Sequence, residues 1–246
     1  SGVLDFNFAQ IFAENLFSGQ DRIAEADQVT VALTSRLIDQ DSGKEYFRAL
    51  FGQRYYFDSQ RVTLNPADSP RTEKKTDLLG AISGELLPKT FFDGALQYNP
   101  RDQRLERFNL AARYQPAVGE VINAAYRFSR LQTAPFDVDV RNIDLSAQWP
   151  VAAGWRLVGR YNYSLKEKRD IEALAGVEYY SGCWATRLVA NRFATTTGEY
   201  TDAIFLQLEL KDFGQFGLNP FDAINRGVQG YSREFPYDND AALRNQ

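Results

Sequence analysis

From Val29 to Leu210 apolar and polar residues take turns along the chain, and the runs are separated by connections that alternate between short and long. Successive side chains of a strand point to opposite faces, so this alternation commits the chain to a two-faced sheet with one apolar and one polar surface. The clearest case is Val177–Leu188, V-E-Y-Y-S-G-C-W-A-T-R-L. Two runs meet there at a tight Ser181-Gly182 turn, and Cys183, the only cysteine, opens the second. Tyr179 and Trp184 share the greasy face, while Glu178, Cys183 and Arg187 fall on the polar one.

The rest of the chain repeats this hairpin. After alternating runs at Val29–Arg36 and Phe47–Phe57, Leu78–Leu86 joins Phe92–Tyr98 through Pro88-Lys89, and Phe108–Tyr114 joins Ile122–Phe128 through Pro116 and Gly119. Ile143–Trp149 and Trp155–Tyr163 meet across Pro150–Gly154, and Ala173–Tyr179 meets Trp184–Ala190 at the Ser181-Gly182 turn. Longer polar connections fall at Asp58–Lys75, Asn99–Gln103, Leu131–Val138, Leu165–Asp170 and Thr195–Thr201. Ile204–Leu210 is the last run. The expected fold is therefore all-β, an antiparallel up-and-down meander of roughly 11–12 strands. Residues 1–27 read as a possible first strand followed by a long loop, 28–210 as the strands and 211–246 as an irregular tail marked by Gly214, Gly217 and Pro220.

The aromatic residues sort by strand end. Tyr114, Trp149, Trp155, Tyr179 and Trp184 lie beside the short turns on the apolar face, and Phe57, Tyr98, Phe128 and Tyr163 lie beside the long connections. Two aromatic belts about nine residues apart suit tilted strands in a bilayer, where amphipathic rings favour both interfaces. Between them Ile122, Ala124, Leu145, Ala147, Leu157, Gly159, Leu188 and Ala190 carry no charge. The other face carries Arg107, Arg113, Arg127, Asp144, Arg156, Arg160 and Arg187 together with several amides, too polar for a dry core unless every charge is paired. These seven residues are expected to line a wet lumen. A transmembrane barrel accounts for both faces, with long connections outside the cell and short turns in the periplasm; a passive diffusion porin and a soluble β-sandwich are the rival readings. Phe193 and Leu174 sit on the wrong parity for a barrel.

Several chemistries fall away on composition. The 246 residues contain no histidine, so a Ser–His or Asp–His constellation cannot be assembled, and one cysteine without histidine makes a poor zinc site. No enzyme activity, cofactor or metal is expected. The formal charge of −4 and the lack of a basic stripe argue against nucleic acid. No run is long and apolar enough for a spanning helix. The chain opens Ser1-Gly2 and holds no methionine, as expected of a piece of a longer protein. Cys183 is either an inert small hydrophobe or one half of a disulfide to a segment outside this chain.

Two stretches resemble a known family. Asn15–Leu37, N-L-F-S-G-Q-D-R-I-A-E-A-D-Q-V-T-V-A-L-T-S-R-L, and Ala175–Arg187, A-G-V-E-Y-Y-S-G-C-W-A-T-R, are similar to the lipopolysaccharide-assembly outer-membrane protein family, also called organic-solvent-tolerance proteins. Gly52–Phe57 and the closing strand extend the match to nearly the whole chain, as that family's C-terminal barrel portion. The resemblance implies a larger barrel of the bacterial cell outer membrane, completed by upstream strands and surrounded by outer-membrane lipids. It receives lipopolysaccharide from periplasmic bridge proteins of the transport machinery and delivers it to the outer leaflet. A plug lipoprotein occupies its lumen, and the lipid leaves through a lateral seam, one side of which would be Ile204, Leu206, Leu208 and Leu210. Many members carry two adjacent cysteines at the Cys183 turn, bonded to cysteines near the N-terminus; Gly182 here replaces the first, which leaves one plausible bridge.

Overall fold

The computed structural model describes residues 28–57, 77–100, 103–133, 136–195, 199–210, 213–218 and 220–233. The expected first strand and loop at 1–27, and the whole of the Asp58–Lys75 connection, lie outside the described residues. The strands are β1 (Gln28–Ile38), β2 (Glu45–Tyr56), β3 (Leu78–Leu87), β4 (Thr90–Asn99), β5 (Arg104–Ala117), β6 (Glu120–Thr133), β7 (Phe136–Ala152), β8 (Trp155–Ser164), β9 (Arg169–Tyr180), β10 (Trp184–Ala194), β11 (Tyr200–Leu210) and β12 (Gly214–Gly217). They form one sheet in sequence order, the up-and-down meander that the alternation demands and a fit to part of a barrel. One short helix, α1 (Phe221–Gly227), follows.

Two expectations need correcting. Leu131–Val138 reads as a polar connection, yet β6 runs to Thr133 and β7 starts at Phe136. Just beyond this stretch Asp139 accepts contacts from Arg141 at 3.2 Å and Arg130 at 3.5 Å, so charged residues around this connection belong to strands rather than to a loop. The tail after Leu210 is not wholly irregular either, since it supplies β12 and α1. Four strand residues and a seven-residue helix are too short to show a hydrophobic period.

The chain forms two compact units, residues 1–111 with 126–141 and residues 112–125 with 142–246. In the first, β1 and β2 pair from Gln28↔Tyr56 to Leu37↔Phe47. Leu50, Leu79, Ala81 and Ala95 make a buried cluster on one face, with Ala32 packed against it. Gly52 stands opposite Ala32, where a Cβ would come within 2.9 Å of the alanine's own Cβ. Leu33 (77% exposed), Phe51, Ile82 and Leu96 cover the opposite face, with an open apolar groove over Gly80 and Gly94.

In the second unit β8, β9 and β10 are in continuous register, so that Arg156 stands beside Glu178 and Glu178 beside Arg187. β10 continues into β11 with Arg187↔Gln207 and Leu188↔Leu206. The core lies on the polar face. Val121, Val158, Leu174 and Val189 pack there against Ala223, Ile224 and Val228 of the C-terminal segment, with Phe205 and Tyr231 at the margin.

Candidate functional site

The exposed apolar face limits what can surround the protein. In the second unit Leu145, Trp155, Leu157, Leu188, Ile204 (68% exposed), Leu206 and Leu208 all point away from the core. Contiguous exposed apolar surface of this extent is not stable against water and calls for a lipid or protein covering. At its short-turn edge Trp155, Tyr179 and Trp184 form a row across three strands, with ring centroids 4.6 Å and 5.1 Å apart. Tyr114 is exposed here, and Trp149 and Tyr163 are half-buried, Tyr163 stacking on Tyr161 at 6.1 Å. In the first unit Phe57 is exposed and Tyr98 half-buried. Phe128 departs from the pattern at 8% exposed: the guanidinium of Arg141 sits 5.4 Å and that of Arg130 5.9 Å from its ring, a cation–π cover that shields it.

The polar face of the second unit is not a wet wall. Arg156, expected to line water, is 2% exposed, and its Nη1 donates 3.0 Å to the carbonyl oxygen of Ser232. Gln148 bonds the same residue twice, Nε2 donating to Ser232 O at 2.9 Å and Oε1 accepting from Ser232 N at 3.0 Å. Glu178 accepts from the Tyr231 hydroxyl at 2.5 Å, from Gln148 Nε2 at 3.1 Å and from Arg187 Nε at 3.2 Å. Arg187 reaches on to Glu209 at 2.6 Å and to Gln207 Oε1 at 3.2 Å. Asn123 Nδ2 donates to Gln229 O at 2.9 Å. The chain's own segment 220–233 lies across this face and replaces water as a partner of Gln148, Arg156 and Glu178.

Sequence order gives this segment the pattern to do so. Pro220 stands at the N-cap, where its fixed φ suits helix entry. Phe221, Ala223, Ile224 and Val228 then point inward, while Asn225 and Arg226 stay exposed. A helix of seven residues is marginal by itself, so its stability comes from this packing. Gly176 keeps the floor open, since a Cβ there would lie 2.8 Å from both Val158 Cγ1 and Val189 Cγ2. Phe221 is clamped between two guanidiniums, Arg233 at 3.9 Å and Arg187 at 4.7 Å from its centroid. Burial pushes the Tyr231 phenol well above the ordinary tyrosine range, and the neighbouring Glu178 carboxylate acts the same way. Leu174, off parity for a barrel wall, is explained by this core, in which it is buried. Phe193 stays exposed opposite Thr201 and Glu172.

Of the other residues expected in the lumen, Arg160 is forked onto Asp144, with Nη2 to Oδ2 at 2.6 Å and Nε to Oδ1 at 3.1 Å, and its Nη1 reaches Glu172 at 2.5 Å. Arg107 and Arg113 are half-buried and Arg127 is exposed. Ile204–Leu210, expected as the last strand, has β12 beside it, paired with Gln207–Leu210. Cys183 carries a free thiol, exposed in the turn before β10, with its N–H donating 2.5 Å to Ser181 O and Gly182 at φ +62. The segment 220–233 is the part of the site that strand periodicity misses; its local sign is Pro220 ahead of Phe221, Ala223, Ile224 and Val228, too short a run to establish a helical period.

The family model described as LPS transport system D matches residues 1–155. The LPS-assembly protein LptD of Azoarcus sp. (strain BH72) is 48% identical over 230 residues, 93% of this chain and 28% of its own length. That of Thiobacillus denitrificans is 45% identical over 231 residues, 94% of this chain and 31% of its own. That of Neisseria meningitidis serogroup B (strain ATCC BAA-335 / MC58) is 37% identical over 235 residues, 92% of this chain and 29% of its own. The chain therefore spans less than a third of the length of these relatives.

Proposed function

The chain belongs to the LPS transport system D family, and on that premise we propose that it is part of an outer-membrane barrel that inserts lipopolysaccharide into the outer leaflet. The observation that carries this reading is the pair of opposed faces. One is apolar and exposed across strand after strand, and the other is charged, with Arg156, Glu178 and Arg187 bonded within the protein. Lipid tails supply the covering that the first face needs. The relatives' printed function, LPS assembly, supplies the cargo.

Such a cargo joins an anionic sugar head to several acyl chains, so the head must avoid hydrocarbon and the tails must avoid water. A polar interior with a lateral seam meets both demands, and Ile204, Leu206, Leu208 and Leu210 on β11 form one side of that seam. Interior arginines such as Arg107 and Arg127 are the candidates to steer the cargo's phosphates, a role for which Arg160 is held back by Asp144 and Glu172. A plug lipoprotein and periplasmic bridge proteins complete the machine, and Cys183 bridges to a cysteine elsewhere in the full protein. A passive porin has no support from the relatives. The test is depletion of the full-length protein in its own host with surface lipopolysaccharide labelled from outside. Surface label should fall and return on complementation, and an unchanged signal refutes the proposal.

A further inference from the structure

The sheet does not stop at β11. Across its outer edge β12 pairs in the register Gln207↔Gly217, Leu208↔Phe216, Glu209↔Gln215 and Leu210↔Gly214. Leu218 N adds a bond to Leu206 O at 3.0 Å, and Phe213 N closes the return by donating 3.1 Å to Leu210 O. The approach depends on glycine: Gly217 has φ +99, and a Cβ there would collide with the carbonyl oxygen of Leu206. The same half of β11 is fastened from its buried face, where Arg187 holds Gln207 and Glu209, and Arg233 Nη2 lies 3.2 Å from Glu209 Oε1. Along Tyr200–Phe205, by contrast, β10 supplies the only ladder among the described residues.

We propose that β12 is a brace: it occupies the Gln207–Leu210 half of this edge in the complete protein, so that a strand arriving from the upstream part of the protein pairs only along Tyr200–Phe205. The inference rests on the seam reading of β11 and refines it. Closure of the seam is then limited to roughly half of the 11-residue strand, with proportionally fewer hydrogen bonds to break on opening. The braced half cannot part, because its N–H and C=O groups are already used by the chain's own return.

The test is photo-cross-linking in the full-length protein in its native membrane, with p-benzoylphenylalanine in place of Phe216 or, separately, of Ile204. Phe216 is exposed, so the larger ring is accommodated. The probe at 216 should give an intrachain adduct with the Leu206–Leu210 peptide, and the probe at 204 should give adducts with an upstream strand and with lipopolysaccharide. Gly217→Val should cut the 216 adduct at least fivefold. Adducts from 216 to an upstream strand, no intrachain adduct, or a yield unmoved by Gly217→Val each overturn the brace. Lipopolysaccharide adducts at neither position would sink the lipid-exit reading alone, since the 216 adduct decides the brace independently.

Discussion

Ile224→Ala isolates the grip of the C-terminal segment on the sheet. Ile224 is fully buried (0% exposed) among Val121, Val158, Leu174 and Val189, and it contributes no polar group of its own to the network beside it. Truncating a buried isoleucine to alanine costs ~2–5 kcal/mol through lost transfer energy and the cavity left behind. A middle value of ~3 kcal/mol corresponds to about a 150-fold rise in the population of the undocked segment, at tenfold per ~1.4 kcal/mol. The loss is local, because the ladder hydrogen bonds of β8 to β10 do not pass through Ile224. Amide hydrogen exchange on the full-length protein in detergent reads this directly. The Ser232 amide, which donates to Gln148 Oε1 only when the segment is docked, should exchange about 100-fold faster. The amide of Val189, within the β10 ladder, should be unaffected. A rise below about fivefold at Ser232, or an equal rise at Val189, would refute the reasoning that apolar burial under α1 holds the segment down.

Tyr231→Phe removes one donor from the buried Glu178 carboxylate and should loosen the segment by ~1–3 kcal/mol, read at the same Ser232 amide. Because the folded Tyr231 phenol is raised above its ordinary value of 10.0, its contribution is complete below about pH 10 and is lost as pH climbs toward the raised value; docking should be flat from about pH 6 to 9 and weaken only beyond, a weakening that the phenylalanine variant lacks. Gly176→Val forces new atoms onto Val158 and Val189 and should lower unfolding stability in detergent by ~1–3 kcal/mol, while an unchanged denaturation midpoint would contradict the packing described. Full-length protein run with and without reductant should differ in mobility, and Cys183→Ser should abolish the difference; identical migration in all lanes rules out the bridge.

The strands were legible because their evidence is local. Two-residue alternation and turn residues such as Ser181-Gly182 specify pleat and hairpin wherever the chain is placed, and the β9–β10 pairing through Thr186↔Tyr179 and Arg187↔Glu178 follows from that one turn. The exposed rows of leucine were legible for the same reason, as was the sorting of Trp155, Tyr179 and Trp184 to one strand end. Phe128 was not, because its cover comes from Arg141 on the next strand rather than from its own neighbours.

Alternation by itself determined that this chain makes an up-and-down sheet with an exposed apolar face and a charged face turned from it. It could not determine whether the charged face is wet or dry, since burial depends on what comes to lie on top. Tertiary structure decided that: Ser232 meets Gln148 and Arg156 across separations of 84 and 76 residues, and Tyr231 meets Glu178 across 53. Contacts so distant in sequence leave no period to read, and a seven-residue helix gains its shape only once the sheet is there to receive it.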